Sequence, residues 1–258
     1  MGRRKLVADW ATGALQGVLR ENLSRCFRSS MLVDDVIAEV VHSQLCFITV
    51  VGQMNWDAVQ LDAKAKGYLI FGIDQAQTPV LTQPGPWGSA YDGYCIGLSA
   101  SWVSLAYQGK DFPVANDACD NPPWQATEAQ NLSDALKRVE WYAWWKIATT
   151  PFQCTLSDGL RAVRHTKPTA DFLWSIMSQA YGCYGVYLQG SGGAHAIALR
   201  HGRDNRYHLF DPNYFHIAIK GKDTFKAYVD SYLAKSGYDK QFEKKTGVVG
   251  IRPPINGP

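Results

Sequence analysis

The chain has 258 residues, of which 46% are hydrophobic and 19% charged; this is ample material for a core and excludes disordered and fibrous classes. Its 26 Lys and Arg against 23 Asp and Glu leave a net charge of +3, too mild to argue for a nucleic-acid partner. Nine Trp, thirteen Tyr and ten Phe predict aromatic-lined surfaces or a bulky core, and the longest apolar run, around Leu45–Val51, is far short of the ~20 residues a membrane span needs.

Met1-Gly-Arg-Arg-Lys5 starts like a signal peptide, but Asp9 interrupts the apolar stretch and Arg20 and Glu21 follow, so no h-region forms. Leu6 stands where N-myristoylation wants Ser or Thr. Residues 6–44 have helical spacing (Leu15, Val18, Leu19 and Leu23, then Leu32, Val33, Val36, Ile37, Val40 and Val41), and Leu45–Val51 reads as a buried strand. Asn55–Lys66 is helical, with Gly67 as its C-cap. Thr78–Gly93 is a loop around Pro84-Gly-Pro-Trp-Gly88, and Cys95–Tyr107 a helix with Leu98, Trp102, Leu105 and Ala106 on one stripe and Gly109 as its stop. Lys110–Gln125 is a second loop. The pattern then predicts a helix over Ser133–Ile147 and shorter ones over Ser157–Arg164 and Thr169–Ala180. From there the period changes to two: Tyr184–Leu188, Ala194–Arg200, Arg206–Asp211 and Phe215–Ile219 read as strands, followed by a helix at Asp223–Ala234 and a short strand at Val248–Ile251. Helices first and a strand meander later is an α+β order.

The six cysteines (Cys26, Cys46, Cys95, Cys119, Cys154 and Cys183) form no CxxC pair, so neither a disulfide scaffold nor a zinc site is indicated. For five of them the small buried thiol is the natural reading. Cys95 opens a helix after a Gly/Pro-rich loop, where the positive end of the macrodipole favours thiolate.

The turn His201-Gly-Arg-Asp-Asn205 invites a hairpin register centred on Arg203. That register puts Ile197 opposite Leu209, Leu199 opposite Tyr207, and His195 opposite Asp211, with Cβ atoms about 4.5–5.5 Å apart on one face. A slip of one residue would separate the pair. The plain alternative is a satisfied strand histidine and an aspartate that starts a turn before Pro212. Gly190-Ser-Gly-Gly193 ahead of His195 adds residues of minimal bulk that would let a substrate chain approach. A thiolate facing a His–Asp pair is the arrangement of a cysteine hydrolase.

Three segments carry a resemblance: Gly93-Tyr-Cys-Ile-Gly-Leu-Ser-Ala-Ser-Trp102, Gly193-Ala-His-Ala-Ile-Ala-Leu199 and Tyr207-His-Leu-Phe-Asp-Pro-Asn213. Over roughly residues 85–220 the chain resembles the YopT/AvrPphB family of bacterial effector cysteine proteases, whose Cys, His and Asp boxes come in this order. The resemblance implies a papain-like α+β fold, with the nucleophile on a central helix and His and Asp on an antiparallel sheet. It also implies a Cys95–His195–Asp211 triad, a host protein as substrate (small GTPases or kinases for relatives), and delivery into another cell without a cleavable signal peptide; the alternative location is the cytoplasm. Residues 1–80 resemble no known family and are expected to form a helical N-terminal region, with the papain-like region at 81–258. Papain-like enzymes usually place a side-chain amide shortly before the cysteine, yet Gly88, Ser89 and Ala90 stand there. The Cys95 backbone N–H is expected as one oxyanion donor, and Gln83 is the candidate for the other.

Gly97-Leu-Ser-Ala-Ser101 misses the Gly-x-Ser-x-Gly elbow, so Ser99 and Ser101 read as helix-interior residues. His42, His165, His201, His208 and His216 have no metal-ligand spacing, and no cofactor, metal or nucleic acid is expected. Trp141, Trp144 and Trp145 read as core. Lys244-Lys245 and Arg3-Arg4-Lys5 read as solvated ends. A deamidase or acyltransferase would use the same three groups, and a non-catalytic papain-like binding module would use none of them.

Overall fold

The computed structural model describes residues 57–75, 94–110, 112, 140–191 and 193–254. The expected helices over 6–44, the strand at 45–51 and the loops at 78–93 and 113–125 lie outside the described residues, as do Gln83, Cys26, Cys46 and Cys119. Two compact units divide the chain, Met1–Asp57 and Ala58–Pro258; the second carries the sheet and the site. Its first strand therefore lies ahead of residue 80, where the sequence suggested a boundary.

Residues 57–65 are helical (α1). The helix ends on Gly67, whose φ of +70° suits a residue without Cβ, and β1 (Leu69–Gly72) follows. Helix α2 (Cys95–Tyr107) has the predicted bounds, with Gly109 at φ +64° beyond its end. The predicted single stripe is too narrow: Cys95 to Ser104 are all buried, as expected of a helix enclosed in the interior. Of the helix predicted over Ser133–Ile147, residues 133–139 lie outside the described residues; helix α3 spans Trp141–Thr149, and Glu140 before it is extended at φ −57°, ψ 144°.

A clear correction concerns Ser157–Arg164, which is part of β2 (Thr155–Arg164), not a helix. Leu160, Arg161, Ala162 and Arg164 are helix formers, but pairing with the last strand overrides that preference, and a bulge between Ser157 and Arg161 absorbs the misfit. Helix α4 (Ala170–Met177) is capped by Thr169, which accepts from the Phe172 N–H at 3.2 Å. Strands β3 (Gly182–Gly190), β4 (Gly193–His201), β5 (Arg206–Asp211) and β6 (Phe215–Lys220) form the expected meander. They are followed by α5 (Lys222–Lys235), α6 (Tyr238–Gln241) and β7 (Lys245–Arg252).

The seven strands of the described residues make one antiparallel sheet in the order β1-β6-β5-β4-β3-β7-β2. The chain's last strand thus returns between β3 and β2, twice the length of the short strand the sequence predicted. Trp141 and Trp145, one turn apart on α3, lie on two glycines of neighbouring strands. A Cβ at Gly185 would sit 2.5 Å from the Trp145 ring, and one at Gly247 would sit 2.6 Å from that of Trp141. Flat indoles can reach the sheet only where side chains are missing, and Trp145 is completely buried there.

Candidate active site

Hairpin register sets which side chains can meet. Leu199 pairs with Leu209 and His201 with Tyr207, so the turn is centred on Asp204, not Arg203. Asn205 takes the left-handed conformation at φ 59°, the Gly202 N–H donates to the Arg206 carbonyl at 2.8 Å, and Asp204 accepts from the Arg206 N–H at 3.3 Å. Moving the centre by one residue shifts the pairing by two, which keeps every side chain on its face. His195 therefore lies diagonal to Asp211, still within reach: His195 Nε2 and Asp211 Oδ1 are 2.9 Å apart, with the carboxylate fully buried and His195 nearly so.

The helix brings the thiol to the same place. Cys95 is the first residue of α2, and among the described residues the helix start has no side-chain cap and its first turn no acidic residue, so no carboxylate there opposes the positive end of the dipole. Four residues on, Ser99 donates to the Ala196 carbonyl of β4 at 3.2 Å, next to His195. Trp102 then stacks on Phe210, next to Asp211, with ring centroids 5.5 Å apart at 5°. Ala196 and Ala198 are fully buried, and their small side chains give α2 room against the strand. The result is that the His195 ring, hydrogen-bonded to Asp211 through Nε2, also interacts with the Cys95 thiol.

Burial by itself would lower the His195 pKa. Asp211 and then Cys95 overturn it, by charge and by hydrogen bonds, and push it up to about 10. The other two described cysteines behave as buried hydrophobes: desolvation pushes the Cys154 thiol up to about 11 and the Cys183 thiol to about 12.

A polar and aromatic shell that the sequence reading missed holds the pair. Asp211 Oδ1 also accepts the Asn213 backbone N–H at 2.8 Å, and Oδ2 accepts the Tyr232 hydroxyl. Asn213 donates through Nδ2 to the Tyr238 oxygen at 2.7 Å, and its Oδ1 accepts from Gln75 Nε2. The Gln75 Oε1 in turn accepts the Tyr94 N–H at 2.7 Å. Gln75 thus connects the residue before the nucleophile to the loop after Asp211. Phe242 lies nearly parallel to the imidazole at 5.9 Å and 12°, and Tyr238 meets it edge-on at 5.4 Å. Asn213 stood inside the Asp-Pro-Asn box, and Tyr228 and Tyr232 have one-turn spacing on a helix, so both left a trace in the sequence; Gln75 left none.

The glycine run has a different role from the expected one at Gly190, where an added Cβ would fall 1.7 Å from the Gln241 carbonyl. Its missing side chain makes room for the chain's own backbone. His208 Nδ1 and His216 Nε2 lie 3.1 Å apart. Burial pushes their pKa values down, to about 4 and about 3. Among the described residues no group of three or more His, Cys, Asp and Glu could hold a metal, and no helix is long and apolar enough to cross a membrane.

Residues 176–248 match the family model Peptidase_C58, described as Yersinia/Haemophilus virulence surface antigen; the matched segment contains His195 and Asp211 and stops well short of Cys95. Among solved structures the chain is similar to the Pseudomonas avirulence protein AvrPphB, with a TM-score of 0.51 and 12% identity over 72% of this chain and 97% of that one. No curated protein matches. The fold is therefore the papain-like α+β one, and the chain is similar to the YopT/AvrPphB type of effector cysteine protease, by sequence in its His–Asp half and by fold over most of its length.

Proposed function

We propose that this protein is a cysteine endopeptidase of the bacterial effector type, with Cys95, His195 and Asp211 as its catalytic triad. The observation that carries this reading is the buried imidazole, hydrogen-bonded to a carboxylate and interacting with the thiol that opens α2. In this scheme the proton shared by the pair resides on His195, leaving sulfur as the nucleophile. The thiolate adds to the scissile carbonyl, and the oxyanion forms beside the start of α2, where the Cys95 N–H donates, with the Gln83 amide as second donor. The imidazolium gives its proton to the leaving amine as the C–N bond breaks. His195 then takes a proton from water, hydroxide attacks the thioester, and the acid product leaves with sulfur restored. Asp211 fixes the tautomer and balances the imidazolium charge.

The substrate in this reading is a protein of the cell the enzyme is delivered into, and the family resemblance directs attention to small GTPases and kinases. Limited treatment with iodoacetamide at mildly acidic pH tests the reactive pair, because Cys154 and Cys183 serve as internal controls. Peptide mapping is expected to find Cys95 carbamidomethylated and the two controls untouched. Equal sluggishness of all three would contradict the proposal.

A further inference from the structure

Asp211 is completely buried, so its carboxylate depends on protein donors for everything water would supply. His195 Nε2 and the Asn213 N–H both go to Oδ1. Oδ2 has the hydroxyl of Tyr232, a side chain from a different element, α5, itself buried among Tyr214, Phe215 and Tyr238. We infer that Tyr232 is a positioning residue of the catalytic site, holding the Asp211 carboxylate oriented so that it can keep the imidazolium of His195 in place. This rests on the protease reading and extends it to a fourth side chain.

Three features favour the assignment. Burial first, then the charge of Asp211, keep the Tyr232 phenol pKa well above its ordinary value, so the hydroxyl remains a donor at every working pH. Its ring on α5 is held by the aromatic cluster, so the position of the hydroxyl oxygen is set by packing. Finally, the hydroxyl satisfies an oxygen of a completely buried carboxylate, where loss of the donor leaves an unpaired acceptor. The titratable groups facing Asp211 are His195 from β4, Tyr214 from the turn after β5, Tyr232 from α5 and Tyr238 from α6; Cys95 from α2 faces the imidazole. The Tyr232 hydroxyl is bonded to Oδ2, whereas the Tyr238 oxygen accepts from Asn213 Nδ2 and also interacts with the carboxylate.

The test is the pH dependence of Cys95 carbamidomethylation by iodoacetamide, read by mass spectrometry in the full-length chain. Wild type is expected to react at mildly acidic pH. Tyr232→Phe is expected to move the acid limb of that profile upward by about one pH unit, since Oδ2 loses its donor and the loosened carboxylate supports the imidazolium beside the thiol less well. Tyr228→Phe removes a buried hydroxyl one turn earlier on α5, and is expected to leave the profile unchanged. Should Tyr232→Phe not fold, site-specific replacement of Tyr232 by a fluorotyrosine, a stronger donor of nearly the same shape, is expected to move the limb downward. A limb that stays put in Tyr232→Phe, or in the fluorotyrosine protein, overturns the inference while the protease reading stands. A wild-type Cys95 that does not react at mildly acidic pH overturns the protease reading itself.

Discussion

The two halves of the candidate site are built differently. His195 and Asp211 come from neighbouring strands of one sheet, and their ring and carboxylate are fixed by Tyr232, Asn213, Tyr238 and Phe242 within a continuous stretch of chain. Cys95 comes from about a hundred residues earlier and is placed by the docking of one helix, through Ser99 on Ala196 and Trp102 on Phe210. The base half is thus a local construction, while the nucleophile half is a matter of tertiary packing. The family model matched the first and stopped short of the second, as this difference would lead one to expect.

Variants can break either half. Cys95→Ala and His195→Ala are each expected to lower cleavage of a protein substrate by roughly a thousandfold or more, with the fold unchanged by circular dichroism. Asp211→Asn keeps the shape but presents a donor where the imidazole needs an acceptor; turnover is expected to fall by about 10²- to 10⁴-fold, by analogy with serine triads. Progressively smaller effects lie further from the chemistry. Gly185→Ala would drive a methyl group into the Trp145 ring, and thermal or denaturant unfolding is expected to show a loss of about 1–3 kcal/mol. Thr169→Ala removes the α4 cap bond and is expected to cost about 1 kcal/mol without touching catalysis.

The coupling between the halves has its own pH signature. The His195 pKa is raised from 6.5 to about 10 in the folded protein, so the folded state binds a proton that the unfolded state has released between those values. The resulting stability is complete below pH about 6.5 and is lost as pH rises toward about 10. Cys95→Ala removes one of the groups that raise it, so denaturant titrations across this window are expected to show a shallower decline in that variant. At the acid end the sign reverses. His208 and His216 are pushed down to about 4 and 3, so the unfolded state binds protons first and stability falls as pH drops below about 6.5.

Legibility in the sequence follows the same division between local and distant causes. Cys95–Tyr107 was readable because a Gly/Pro-rich loop, helical spacing and a glycine stop all lie within the segment, and the meander was readable from its period of two. The His–Asp pairing was found on the correct face although the turn centre was displaced by one residue, because strand parity survives an even shift. β2 was misread as a helix because its strand character comes from pairing with β7, some ninety residues later. Gln75 stayed invisible for the same reason: it acts through contacts across the fold, to Asn213 and to the Tyr94 N–H, and no local pattern announces it.

The central claim is that one thiol, one imidazole and one carboxylate act together to split peptide bonds. The most direct measurement compares new protein N-termini across the proteome in target cells expressing the wild-type chain and in cells expressing Cys95→Ala. A discrete set of new termini that vanishes with the single substitution is the predicted result. Identical N-termini in both, or glutamine side chains converted to glutamate with every chain intact, would contradict it.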